Sequence, residues 1–238
     1  MKTQKKLESF GAEFPSAVSH KQAKRSWSGK QKRAYHRVLS GLYLNLTIKG
    51  LPIRFMTLTS ANESPDFDYQ NDSFSALVKR IRRMTPAKFV KEGWISPNDL
   101  KKYFPGKALN EHLTFNYFKV HTNEGNGVFH ILYSGDFIPQ KWLKAQWMAL
   151  HNAWNVNVKS VSNNRKKVAS YVVGQYIVNQ DSTFTRFSWS SGWLMRGAVA
   201  MWNYLKGWYS FPQVLGVFHG WMRSFVAERS QFCLTDFG

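Results

Sequence analysis

Three short segments hold side chains whose types and spacing could do chemistry. They are Thr57 and Thr59 in Arg54-Phe55-Met56-Thr57-Leu58-Thr59-Ser60, His130 in Gly127-Val128-Phe129-His130-Ile131-Leu132-Tyr133, and the phenols of Tyr171 and Tyr176. A strand imidazole can ligate a divalent cation, and hydroxyls two residues apart project from the same strand face. A phenol is a weak nucleophile while neutral, because its reference pKa is near 10. It attacks only where its proton can leave and the electrophile is polarised, for which a metal ion serves.

The elements that must position these groups follow from periodicity. Residues 42–48 alternate as a strand, Lys49-Gly50 supplies a turn, and residues 53–60 form the next strand, so a hairpin is expected. Residues 62–72 are polar and read as a loop, followed over 73–84 by a helix with Phe74, Leu77, Val78 and Ile81 on one face and basic side chains on the other. Residues 113–122 and 127–134 read as antiparallel neighbours joined through Asn123-Glu124-Gly125-Asn126. Pro139 opens a helix carrying Trp142, Leu143, Trp147 and Leu150, and residues 155–161 alternate like a strand. Residues 168–178 read as a helix, with a strand as the alternative because Val and Tyr favour sheets. A strand over 184–189 and a tryptophan-rich helix over 193–211 complete the pattern. The fold class is α/β in the broad sense (α+β), a central, mainly antiparallel sheet flanked by helices. Its expected divisions are a basic arm and helix over 1–41, a main domain over 42–190 and an aromatic-rich helical extension over 191–238.

Thirty-three Lys and Arg against 14 Asp and Glu give a formal net charge of +19 over 238 residues. Such a surplus repels itself unless a polyanion relieves it, so nucleic acid is the expected partner. The length suits one sizeable domain with extensions and is too short for two full enzymatic domains. Hydrophobic residues at 43% are ample for a packed interior. The single cysteine, Cys233, excludes an intrachain disulfide and a cysteine-only zinc site. With no long apolar run and no apolar core behind the basic start, neither export nor a membrane span is expected, and the expected location is the cytoplasm of a host cell. No Gly-rich phosphate loop, serine triad or paired-cysteine motif is present.

In order and spacing, the three segments resemble the motifs of the rolling-circle replication initiators, the HUH endonucleases of plasmids and phages. Phe55-Met56-Thr57-Leu58-Thr59 resembles their first strand, Val128-Phe129-His130 their His-hydrophobic-His strand, and residues 168–180 their tyrosine helix. The likeness covers residues 42–180. It implies a metal-dependent endonuclease that nicks one DNA strand and rejoins it through a 5′-phosphotyrosine intermediate. The implied cofactor is Mg²⁺ or Mn²⁺. The implied partners are single-stranded DNA at a replication origin and a host helicase or polymerase.

Residue by residue, the resemblance assigns His130 to the metal and Tyr176, with Tyr171 as the alternative, to the nucleophile. Val128 stands where the family's first histidine would be, so another donor has to replace it. His121 is one candidate: a two- or four-residue hairpin loop puts it on the face of His130, and a three- or five-residue loop sends it to the other side. Glu124, nearer the turn, is a second. The two tyrosines are five apart, which on an α-helix separates them by about 140°, so only one is expected to face a phosphate. Gln175 and Asn179 occupy positions where relatives often carry a lysine beside the tyrosine. Thr57 and Thr59 would lie near the DNA, Arg165, Lys166 and Lys167 could grip its backbone, and Trp154 and Trp189 could stack unpaired bases. Two alternatives from other classes remain: a non-cutting single-stranded-DNA-binding protein with this fold, and a basic RNA-binding protein. The aromatic, basic C-terminal segment would also suit an anionic lipid surface.

Overall fold

The structure, a computed structural model, describes residues 28–60, 67–161, 164–178 and 186–235. The basic arm expected before residue 28, most of the loop after Ser60, and Asn179 and Gln180 lie outside the described residues.

The first helix, α1 (Gly29–Leu42), starts at Ser28, whose Oγ accepts from the Gln31 backbone N–H while the Gln31 side chain accepts from the Ser28 N–H. This reciprocal pair satisfies donors that a helix start leaves open. Where a hairpin strand was expected, the chain continues as a π-helical turn over Tyr43–Ile48. Tyr43, Leu44 and Asn45 are buried, and the Asn45 side-chain amide donates to the carbonyls of Gly41 at 2.9 Å and Trp193 at 3.0 Å. The alternation that reads as a strand is overridden by a contact with a residue far along the chain, the usual limit of local β preference.

Five strands, β1 (Ile53–Thr59), β2 (Phe115–Thr122), β3 (Val128–Gly135), β4 (Val156–Ser160) and β5 (Arg186–Trp189), form one sheet in the order β4-β1-β3-β2-β5. Every neighbouring pair is antiparallel. Because side chains alternate, each strand feeds two cores. Met56, Leu58, Phe129 and Ile131 pack with Phe74, Leu77, Ile81, Trp142 and Trp147 from α2 (Phe67–Arg83) and α5 (Gln140–His151), joined by the short α3 (Pro86–Lys91) and α4 (Leu100–Tyr103). On the other face Phe118, Val120 and Leu132 meet α1, α6 (Arg165–Val173), α7 (Ala198–Leu205) and α8 (Phe211–Thr235) through Val38, Val172, Trp202 and Phe218. The result is an α+β three-layer arrangement. Of the helix expected over 193–211 only α7 forms, and α8 begins at the last residue of that span. α7 begins after Gly197, whose φ of +80° suits glycine. α1, before the boundary expected at 41–42, and α7 and α8, beyond that at 190–191, bury side chains in the same core as the sheet.

α1 passes the Trp193 indole so closely that a Cβ at Gly41 would lie 2.0 Å from its ring nitrogen, which donates to the Arg37 carbonyl. Gly41→Ala should therefore destabilise the fold by about 1–3 kcal/mol, as overpacked cores do, read as a lower midpoint in urea at unchanged slope.

Candidate active site

β4 and β5 are the two edges of the sheet, so the chain between them must cross its centre. That connection carries α6 and, continuing it, a π-helical turn over Gly174–Val178. Tyr171 and Tyr176 are thereby carried over β3, the central strand that holds His130. The register completes the row beneath them. Thr57 on β1 pairs with His130 and with Asn157 of β4, while Val120 of β2 pairs with His130 from the other side. Directly paired residues share a face, so Asn157, Thr57, His130 and Val120 form one line across the sheet.

The π turn changes the expected geometry of the tyrosines. An α-helix would turn residues five apart away from each other, but i→i+5 hydrogen bonding brings them back to one side. The two phenolic oxygens lie 3.2 Å apart, and the rings meet edge-to-face with centroids 5.7 Å apart. The two phenols therefore meet, where an α-helix would have turned them about 140° apart.

Tyr176 is 8% exposed and stacks on His130, with centroids 3.7 Å apart and planes 16° from parallel. Phe55 packs beside both rings, 6.0 Å from His130 and 5.9 Å from Tyr176. Burial holds the His130 pKa down at about 4, so its imidazole is neutral at pH 7. Burial, then the Tyr171 hydrogen bond, then the charges of Tyr171 and Glu124 push the Tyr176 phenol well above its ordinary value. At rest Tyr176 is a neutral phenol.

Glu124, placed by the hairpin loop, brings its carboxylate to 3.4 Å from His130 Nε2, and neither ring nitrogen of His130 makes a hydrogen bond. His121 does not join them. The loop between β2 and β3 leaves five residues unpaired, so His121 pairs with Phe129 and lies on the opposite face. There His121 Nε2 hydrogen-bonds the Gln70 side-chain oxygen, and its ring packs against Phe67 and Phe129. The Gln70 amide in turn donates to the Asn126 carbonyl at 3.1 Å, so this histidine fastens α2 to the hairpin loop. His121→Ala should leave metal affinity unchanged and cost about 1–3 kcal/mol of stability, since it strands the Gln70 oxygen; calorimetric Mn²⁺ titration and a denaturant curve read the two effects separately.

Thr57 lies beside His130 and Thr59 beside Val128, as a strand flanking the site requires. Arg165, Lys166 and Lys167 open α6, about 15 Å along the helix from Tyr176 at 1.5 Å per residue. Arg165 is engaged at the base of the fold, donating to Thr47 Oγ1 at 2.6 Å and lying over the Tyr43 ring. Trp154 is 75% exposed, whereas Trp189 packs against Phe187 and under the Arg37 guanidinium. Sequence reading missed Asn157 and Lys159, exposed on edge strand β4 and paired with Thr57 and Phe55. Their alternation along the strand was visible, but only the register shows which row they extend.

Among the described residues, no group of three or more His, Cys, Asp or Glu could hold a metal ion. His130 with Glu124 supplies one nitrogen and one carboxylate. Those are two donors, fewer than a divalent cation takes, so water or phosphate oxygens would have to supply the rest. Among the described residues, no helix is long and apolar enough to cross a membrane. Comparison of the chain with protein-family models, with characterised proteins and with solved structures finds no match.

Proposed function

We propose that this protein is a tyrosine-dependent DNA endonuclease of the rolling-circle initiator type, which nicks single-stranded DNA at a replication origin. The observation that carries the reading is the convergence of Tyr171 and Tyr176 with His130 and Glu124 on one face of the central strand. Segments far apart in sequence meet there, and the surplus of positive charge suits a nucleic-acid substrate.

In the proposed step the Tyr176 oxygen attacks a phosphorus atom in line. A phosphotyrosine ester forms, the bond to the 3′ oxygen breaks, the phenolic proton passes to solvent, and the departing oxygen is protonated to a 3′-OH. His130 and Glu124 would hold the divalent cation, which when bound polarises phosphate oxygens. Thr57 and Asn157 line the row beside His130, and Lys159, two residues further along β4, offers a cation to the backbone of the strand. Incubating the protein with origin-containing single-stranded DNA and Mn²⁺ tests the reading. A protein–DNA adduct that survives denaturation and maps to Tyr176 supports it, and no adduct on any origin strand refutes it.

A second reading is favoured by the near-complete burial of His130, 5% exposed beneath Tyr176, together with Val128 in place of a histidine. In it the protein keeps the fold and binds DNA without cutting. Metal titration separates the two. An endonuclease should bind Mn²⁺ in a manner lost in His130→Ala, whereas a binding module should hold DNA equally well in chelator.

A further inference from the structure

Apart from the tyrosine site, a cleft of about 440 Å³ opens where the start of α1, the end of α7 and the start of α8 meet, lined by Lys32, Arg33, Trp202, Lys206, Tyr209 and Val214. Its volume lies within the range of about 300–1,000 Å³ usual for small-ligand sites. Lys32, Arg33 and Lys206 are exposed, and among the described residues no carboxylate pairs with any of them. Three cations without a carboxylate partner among the described residues, set around one concavity, suit an anionic occupant.

The aromatic lining narrows its chemistry. Tyr209 is 47% exposed, and Trp208 at 73% and Tyr204 at 65% stand beside it with their rings 6.4 Å apart. Trp202 is held rigid from behind by His36, stacked at 3.5 Å and 12° from parallel. Contiguous exposed apolar patches mark interaction sites, and aromatic rings interleaved with cations are a means by which proteins hold unpaired nucleotides. The residues before position 28 carry six Lys and Arg against two Glu, and a second copy carries the same +19 charge, so both are cationic on balance where the cleft calls for an anion.

We propose that this cleft is a second binding site for single-stranded nucleic acid, in which Lys32, Arg33 and Lys206 hold phosphates and Tyr209 stacks a base. Flanking nucleotides pass over Trp208 and Tyr204. The site needs no metal and no nucleophile, so it stands or falls independently of the nicking reaction.

The test is fluorescence anisotropy with a labelled twenty-nucleotide oligothymidylate, in chelator and on a Tyr176→Phe background, so that strand cutting plays no part. Lys32→Gln with Lys206→Gln should weaken binding at least tenfold and reduce the salt dependence by about 1.4 log units per decade, the share of two phosphate contacts on a single strand. Tyr209→Ala should weaken it roughly tenfold through lost stacking. Lys32→Arg with Lys206→Arg should restore the salt slope, and thermal unfolding midpoints should confirm that every variant is folded. Lys79→Gln with Arg83→Gln, an equal charge change at exposed positions of α2, should have little effect. Equal losses from both charge pairs, or no loss from the cleft pair, would overturn the proposal. So would a cleft pair that loses binding only to phosphatidylserine vesicles, which would identify a lipid surface.

Discussion

Tyr176→Phe should remove the covalent DNA adduct entirely, a fall of at least about a thousandfold, because the reaction then lacks the oxygen that forms the new bond. Tyr171→Phe should keep the adduct and change its pH dependence. The Tyr171 hydrogen bond is among the causes that hold the Tyr176 phenol above its ordinary pKa. Removing that bond lowers the Tyr176 pKa, so the alkaline rise in nicking rate should move to lower pH while its slope stays the same. A rate that depends on phenolate increases about tenfold per pH unit below the phenol pKa, and this makes the shift measurable from pH 7 to 9. The assignment rests on position: Tyr176 stacks on His130, whereas Tyr171 touches the site through the Tyr176 oxygen. An adduct lost in Tyr171→Phe and retained in Tyr176→Phe would reverse the two roles.

Acid should destabilise the protein progressively as the pH falls below about 6.5. Burial holds four histidines neutral: His36 at a pKa of about 2, His121 at about 3, and His130 and His219 at about 4. Lesser contributions come from Arg37 and His219 on His36, from Lys119, Arg186 and His151 on His121, and from Arg165 and Arg223 on His219. Unfolded, each takes a proton near pH 6.5, so between that value and the lowered one the unfolded chain binds more protons than the folded one. The stabilisation is fully present above pH 6.5 and declines as the pH falls toward 4. Each such histidine costs on the order of 1 kcal/mol per pH unit, with His219 contributing less because it is only half-buried. Together they amount to several kcal/mol per pH unit against a usual total of about 5–15 kcal/mol. Urea titrations at pH 7, 6 and 5 should show steadily lower midpoints, and His121→Gln should flatten the trend. A midpoint unchanged from pH 7 to 5 would mean that these rings are not held neutral.

How much of the site was legible from the sequence depends on the range over which its geometry is set. Period-two alternation is a property of a few adjacent residues, and it located the strands around Thr57, Val120 and His130 within one or two positions. The amphipathic spacing of Phe74, Leu77, Val78 and Ile81 did the same for α2, although its start at Phe67 lay earlier than the polar composition indicated. His121 shows where such reading stops. One residue more or less in the hairpin loop moves its side chain to the opposite face, and loop length is settled by the Gln70 bonds to the loop as much as by the loop itself.

The sequence by itself determined the chemistry available: a basic chain, a strand bearing one imidazole, a carboxylate beside its turn, and two phenols five residues apart. The tertiary structure decided which of these groups meet. It converted two stretches, Tyr43–Ile48 and Gly174–Val178, into π-helical turns, the first sustained by the Asn45 bond to Trp193, and the second brought both phenols to one site. A π turn differs from an α turn by a single accommodated residue. So small a local difference is decided by the packing of distant segments, which no neighbouring residue in the chain encodes.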